Sequence, residues 1–223
     1  IYLNKEVMMK MLNLHDRAWK EFYIKDIFSI SPGKRLTKSD MIVGNKPFIG
    51  ATDSNNGVTA FVSNTNISED RNILGVNYNG SVVESFYHPY LCLFSDDVKR
   101  FKLKDISATK YHYLFFKTII LQQKCKYAYG YKFNEQRMQK QIILLPVTDS
   151  GTPDYDFMER YIKEREQKLT QNYISTTYNN LHMEKTPLSL EQKKWGTFFV
   201  GDLFTVRRPK ARSEKQYSIY CVW

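Results

Sequence analysis

The densest run of chemically capable side chains in this sequence is Lys124-Cys-Lys126-Tyr127-Ala-Tyr129-Gly130-Tyr131-Lys132-Phe-Asn134-Glu-Gln-Arg137-Met-Gln-Lys140. It holds five basic residues, one acid and three tyrosines at alternate positions. Lysine and arginine can hold phosphate oxygens, a tyrosine hydroxyl can reach a phosphate or a base edge, and a glycine admits close approach of backbone. The chemistry this points to is recognition of a nucleic acid; a half-buried, Tyr-rich strand with a charged outer face is the structural alternative. Two other loops carry suitable groups. Ser31-Pro-Gly-Lys34-Arg35-Leu-Thr37-Lys38 is basic, and Thr52-Asp53-Ser-Asn55-Asn56-Gly57 is rich in amides. Arginine reads guanine, and asparagine reads adenine, through paired hydrogen bonds in the major groove. Each loop taken alone also reads as an ordinary turn. The candidate contacts are therefore Lys34, Arg35 and Lys38 for backbone or base, Asn55 and Asn56 as amides, and Lys124, Lys126, Tyr127, Tyr129, Lys132 and Arg137 as the main face.

Enzyme chemistry is represented mainly by absences. There is no phosphate-cradling G-x-x-x-x-G-K-[ST], no G-x-G-x-x-G opening a helix and no H-E-x-x-H, and His15, His88, His112 and His182 stand apart from one another. Asn77-Tyr-Asn-Gly80 lacks the prolines of an amino-methyltransferase tetrapeptide and reads as a hairpin turn. Pro153-Asp154 followed by Glu166-Gln-Lys168 spells the carboxylate string of many metal-dependent nucleases. Both parts fall along one expected helix, roughly 18 Å apart by helical rise, so they cannot share a metal ion within one chain. Pro153-Asp154 reads instead as a helix start, with the acid at the positive end of the dipole. No catalytic residue, metal site or cofactor is expected in this chain.

The elements that must position these loops can be read from composition and period. The chain has 223 residues and a formal net charge of +10, with a pI near 9.3, which favours polyanionic partners without proving one. Its three cysteines, Cys92, Cys125 and Cys221, are scattered and odd in number, as expected of a reducing compartment. No apolar run approaches the roughly 20 residues needed to span a bilayer, and the N-terminus lacks a secretory pattern, so a soluble, cytoplasmic protein is expected. From about residue 19 to 147, dense turn signals separate short apolar stretches, which predicts mixed α and β structure, with Asn79-Gly80 as a hairpin and a helix near 109–123. From 154 to about 184 there is neither Gly nor Pro, and apolar residues recur at helical spacings. About 28 helical residues would run to roughly 42 Å, which predicts a spacer helix seeking a partner rather than a core helix. Met158, Ile162, Leu169 and Tyr173 are its candidate contact residues; a helix folded back on its own domain is the alternative.

An internal repeat organises the whole. Trp19-Lys-Glu-Phe22-Tyr-Ile-Lys-Asp26-Ile-Phe28-Ser-Ile returns without gaps as Trp195-Gly-Thr-Phe198-Phe-Val-Gly-Asp202-Leu-Phe204-Thr-Val. That spacing is too wide for a solenoid and implies a duplicated domain whose second copy is cut short. The chain, beginning at Ile1, is expected to be a fragment.

Together these stretches resemble the specificity subunits of type I restriction–modification systems. The resemblance rests on the W-x3-[FY]-[IV]-x-D-[IL]-F opening at Trp19 and Trp195, on Pro32-Gly33-Lys34-Arg35-Leu36, and on Phe48-Ile-Gly50-Ala-Thr-Asp53-Ser-Asn55-Asn56-Gly57-Val58. It rests also on Leu145-Pro146-Val147 with Pro153 and Met158-Glu159 leading into the helix, and it covers about residues 18 to 223. It implies an α+β target recognition domain over 1–147, a conserved spacer helix over 148–190 and the start of a second recognition domain over 191–223. It further implies recognition of one half of a bipartite double-stranded DNA target. Methyltransferase and restriction subunits would be partners, and would carry the S-adenosylmethionine, ATP and Mg chemistry; self-dimerisation would run through the helix. The same architecture serves type II methyltransferase-nucleases, which stay open as the parent system. Outside this class stand a metal-dependent nuclease using Asp154, Glu166 and Lys168, and an RNA-binding module.

Overall fold

A computed structural model describes residues 11–127, 130–182, 195–197, 199 and 203–204, with 178–182 described by backbone alone. The chain divides into two units, Ile1–Ile174 and Ser175–Trp223, and the first carries nearly all of the described structure. Of the repeat, the first copy is described throughout. The second lies outside the described residues except at Trp195, Gly196, Thr197, Phe199, Leu203 and Phe204.

The unit opens and closes on one antiparallel ribbon, β1 (Trp19–Tyr23) against β9 (Ile142–Pro146), with Trp19 opposite Pro146 and Tyr23 opposite Ile142. The first four residues of the apolar run 142–147 obey a period of two: Ile143 and Leu145 are buried, while Ile142 and Leu144 face outward, and Pro146 and Val147 are both buried. A single helical turn, α1 (Ile24–Ile27), drops Ile24 and Ile27 into the core and leads into β2 (Phe28–Pro32).

Beyond it lies a fully antiparallel sheet in the order β2-β8-β5-β6, made with β5 (Ile73–Asn77), β6 (Ser85–His88) and β8 (Val98–Leu103). Strand β5 is buried at every position, which is why its sequence lacks polar alternation. Leu74 and Val76 enter the main core with Tyr113, Phe116 and Ile120 of α2 (Lys110–Leu121), whereas Ile73 joins Ile49, Cys92, Phe94 and Val98 in a second cluster. That second cluster is roofed by a smaller sheet, β4 (Val58–Val62)-β3 (Val43–Ile49)-β7 (Leu93–Phe94), in which β3 and β7 run parallel. One sheet with a helix on one face and a second sheet on the other is the α+β architecture expected from the sequence.

Helix α2 starts at Thr109, whose backbone N–H donates to Nδ1 of His112 at 3.0 Å, closing a capping box. A short 3-10 turn, Gln122–Lys126, follows it, and α3 (Glu135–Lys140) precedes β9. The last element is α4 (Tyr155–His182), of 28 residues. Asp154 caps it by accepting from the Phe157 N–H at 2.9 Å, and Arg17 Nε donates to the other carboxylate oxygen at 2.7 Å.

One expectation changes in kind. The Asn79-Gly80 hairpin is not a two-residue turn: β5 and β6 do pair, but the connection spans residues 78–84. Its polar groups are claimed by neighbours, since Asn77 Nδ2 donates to Thr52 O at 2.9 Å and Asn79 Nδ2 to Asp97 Oδ1 at 2.9 Å. Gly80 still supplies the left-handed residue, at φ +59°, and the carbonyl of Ala51 lies where its Cβ would be. Among the described residues no helix is long and apolar enough to cross a membrane.

Candidate nucleic-acid interface

Because the four-stranded sheet is antiparallel, the end of β2, the start of β8, the end of β5 and the start of β6 share one edge of the molecule: Pro32 lies opposite Lys99, Asn77 opposite Val98 and Val76 opposite Ser85. The first basic loop leaves from that edge. Its Gly33 N–H donates to Val98 O at 3.1 Å and Lys34 N–H to Phe94 O at 2.8 Å, and the Ser95 carbonyl occupies the place a Cβ of Gly33 would take. Only glycine permits that approach, so the Pro32-Gly33 pair pins the loop to the sheet and sends Lys34 and Arg35 outward. The 78–84 loop, the 95–97 loop and the 3-10 turn at Lys124 meet at the same edge.

Here the cations are matched by acids. Arg35 faces Asp96 at 3.6 Å, Lys99 faces Glu135 at 3.6 Å, and Lys124 Nζ donates to Glu84. Lys34 and Lys132 make no ion pair among the described residues. The sequence reading picked the cations and missed Glu84, Asp96, Glu135 and Lys99; the Asp96-Asp97 doublet between a buried Phe94 and a buried Val98 was the available signal.

Next to this edge the described aromatics of the run, Tyr127, Tyr131 and Phe133, form a stack. Tyr131 lies parallel to Tyr127 at 5.7 Å, Tyr127 packs on Phe133 at 4.5 Å, and the Arg137 guanidinium covers the Tyr131 ring at 3.7 Å. Arg137 Nη1 donates to Lys132 O at 2.6 Å, and Asn134 caps the short helix by accepting from the Arg137 N–H. A guanidinium stacked and tied in this way is held in one orientation, which suits paired recognition of a planar acceptor edge. Tyr127 is partly buried and its hydroxyl donates to Gln141 at 2.7 Å, so it supports the stack. Tyr129 lies outside the described residues.

Asn55 and Asn56 both have positive φ, +49° and +53°, in the turn Asn55–Gly57 that runs along β6. Asn56 Nδ2 donates to Tyr90 Oη at 3.0 Å and approaches Tyr87 O at 3.5 Å. Its donor group is thus engaged internally, leaving the carbonyl as the free atom, which departs from the two-bond reading of adenine expected of an asparagine. Tyr90 Oη in turn lies 3.3 Å from Nδ1 of buried His88. Lys38 sits on the separate turn Lys38–Asp40, which leads to β3. Lys126, held by Gln123 Oε1 at 2.8 Å, lines an apolar groove of about 740 Å³ between the ribbon, α2 and α4.

The helix contacts divide sharply. Met158 is fully buried in its own domain and Ile162 packs against the same core, which makes the fold-back alternative correct for the first turns of α4; Met158 is not free to meet a partner. Leu169 and Tyr173 are 70% and 73% exposed. The nuclease string is dispersed: Asp154 is held by Arg17, and Glu166 by Lys110 at 2.8 Å. Among the described residues no cluster of His, Cys, Asp or Glu is arranged to hold a metal ion. Cys92 is buried, which pushes its thiol up to about 12, and Cys125 is exposed; both are free.

The fold resembles those of solved restriction–modification structures. The chain resembles the type I specificity subunit of M. genitalium, with TM-score 0.51 and 16% identity over 75% of this chain and 44% of that one. It also resembles the HsdS subunit of Thermoanaerobacter tengcongensis, with TM-score 0.50 and 15% identity over 78% of this chain and 43% of that one. A chain from a study of type I system assembly and conformational transition gives TM-score 0.53 at 15% identity, over 73% of this chain and 42% of that one. These likenesses show the class of fold. The sequence makes it specific: residues 16–172 match the family described as the type I restriction modification DNA specificity domain, and the chain belongs to that family. The chain is also 63% identical, over 157 residues, to the specificity subunit of the type II restriction enzyme BcgI from Heyndrickxia coagulans, covering 70% of this chain and 46% of that one. It spans about half the length of the relatives it matches.

Proposed function

We propose that this chain is the DNA-reading part of a restriction–modification specificity subunit, taking one half of a bipartite duplex target. The observation that carries the reading is the meeting at one sheet edge of Lys34, Arg35 and Lys124, beside a fixed Arg137, in a chain of the specificity-domain family. The cations supply the sequence-independent attraction, and a held guanidinium supplies base selection. Residues 1–147 form the recognition domain in this reading, 148–190 the spacer and 191–223 the start of a second recognition domain. Catalysis, with S-adenosylmethionine, ATP and Mg, belongs to methyltransferase and restriction subunits that this chain recruits. The 63% identity to a type II specificity subunit favours a type II parent system, in which methylation and cleavage reside in a partner methyltransferase-nuclease.

The test is selection of bound duplexes from a random pool by the 223-residue chain at low salt. A short half-site of about three to five base pairs, repeated at fixed spacing where the chain self-associates, is expected to be enriched, and Arg137→Ala should then cost about 1–3 kcal/mol on that half-site and relax one of its positions. Salt-sensitive binding without enrichment, or tighter binding of single-stranded RNA, would overturn the reading.

A further inference from the structure

Of the cations at the sheet edge, Arg35, Lys99 and Lys124 each face a carboxylate, though Arg35 and Lys124 stay exposed enough to be reached by a phosphate. In the Lys124–Glu84 pair the acid is the fixed member, with its side chain 16% exposed against 50% for the lysine. The fold holds it there. The Glu84 carbonyl accepts from the Asn77 N–H at 2.8 Å, its N–H donates to Ser81 O at 3.2 Å, and the preceding Val83, fully buried, sits at φ +70°. A β-branched residue with that backbone persists only where its surroundings impose it. Asp96 is less enclosed, its side chain 41% exposed; it follows Ser95, whose N–H donates to Ile49 O at 2.8 Å, and it faces Arg35 on the neighbouring loop.

An ion pair this exposed stabilises a fold little, so stability does not explain the arrangement. Its consequence for binding is larger. A phosphate that engages Lys124 or Arg35 must compete with the carboxylate already paired to it, and the acid left behind faces the duplex. A base edge that offers an amino group, such as cytosine N4, satisfies that carboxylate, while a carbonyl edge repels it. We infer that Glu84 and Asp96 are specificity-determining residues that suppress binding to non-target duplex by withholding Lys124 and Arg35 from phosphate.

The inference rests on the DNA-reading proposed above, and its test separates the two. Binding of the full chain to a random-sequence duplex and to its selected half-site would be titrated against salt for the wild type, Glu84→Gln and Asp96→Asn. Each substitution should tighten random-duplex binding several-fold, steepen the log–log salt dependence by about one, and lower the preference for the half-site. Adding Lys124→Gln to Glu84→Gln should return the slope to the wild-type value. Glu21→Gln, on exposed β1, makes the same change in net charge away from these pairs and should leave the slope nearly unchanged. Thermal unfolding of each variant confirms that it is folded. Unaltered slopes in folded Glu84→Gln and Asp96→Asn, or an equal effect from Glu21→Gln, would overturn the inference while the DNA-reading stands. A wild-type chain that binds no DNA would overturn both.

Discussion

His88 carries a consequence for pH at the scale of a single residue. It is fully buried, its Nε2 has no hydrogen-bond partner among the described residues, and burial, reinforced by Lys117, lowers its pKa from the ordinary 6.5 to about 4. Between those values the unfolded chain binds a proton that the folded chain refuses, so stability rises with pH across that window. The contribution is complete above about 6.5 and is lost as the pH falls toward 4, to a total of about 3 kcal/mol. Burial lowers the pKa of His112 as well, in the same direction. Urea unfolding between pH 7 and 4.5 should show this loss, and His88→Leu should flatten the slope whatever it does to stability at pH 7. An unchanged slope in that variant would show that the histidine titrates normally. None of this was legible in the sequence, where His88 is an isolated histidine before Pro89; its burial comes from Phe94 and Tyr90, which the fold brings against its ring.

Among the elements, legibility followed the range of the interactions involved. Helix α4 was legible as a long helix starting close to Asp154 because its period and its lack of Gly and Pro are local properties, and β9 was legible as an apolar run. The 78–84 connection was not, because Asn79-Gly80 is a valid local turn overruled by hydrogen bonds to Thr52 and Asp97, distant in sequence. The cations of the candidate site were legible as residue types, whereas their acid partners came from elements distant in sequence: the 78–84 and 95–97 loops and the start of α3. Helix α4 shows the same limit in its faces: period revealed an apolar stripe, but not that its first turns are spent on the domain core. Met158→Ala should therefore destabilise the domain by about 2–5 kcal/mol, as a cavity in a packed core does. Leu169→Ala should leave stability within about 0.5 kcal/mol, as expected of an exposed position. Denaturant titration of the two variants checks both, and equal losses would mean that Leu169 also packs on the domain.

For the molecule as a whole, the exposed half of α4 sets the question of valency. Leu169, Tyr173 and Ile174 leave a run of large apolar side chains open to water, with the last of them 59% exposed. A single recognition domain with few phosphate contacts would bind weakly and lose affinity steeply with salt. Two copies joined through this helix would bind two half-sites at once, and the effective concentration of the second domain would raise affinity without any new base contact. Self-association through α4 is therefore the expected state of the 223-residue chain, with two enriched half-sites at one fixed spacing among the selected duplexes, because a rigid spacer admits one helical phase. The double substitution Leu169→Glu with Tyr173→Glu should return the chain to a monomer in sedimentation velocity, leave its thermal transition in place, and reduce the selected sequence to one half-site. A wild-type chain that stays monomeric at tens of micromolar, or a variant that still selects the paired site, would overturn self-association through this face of α4.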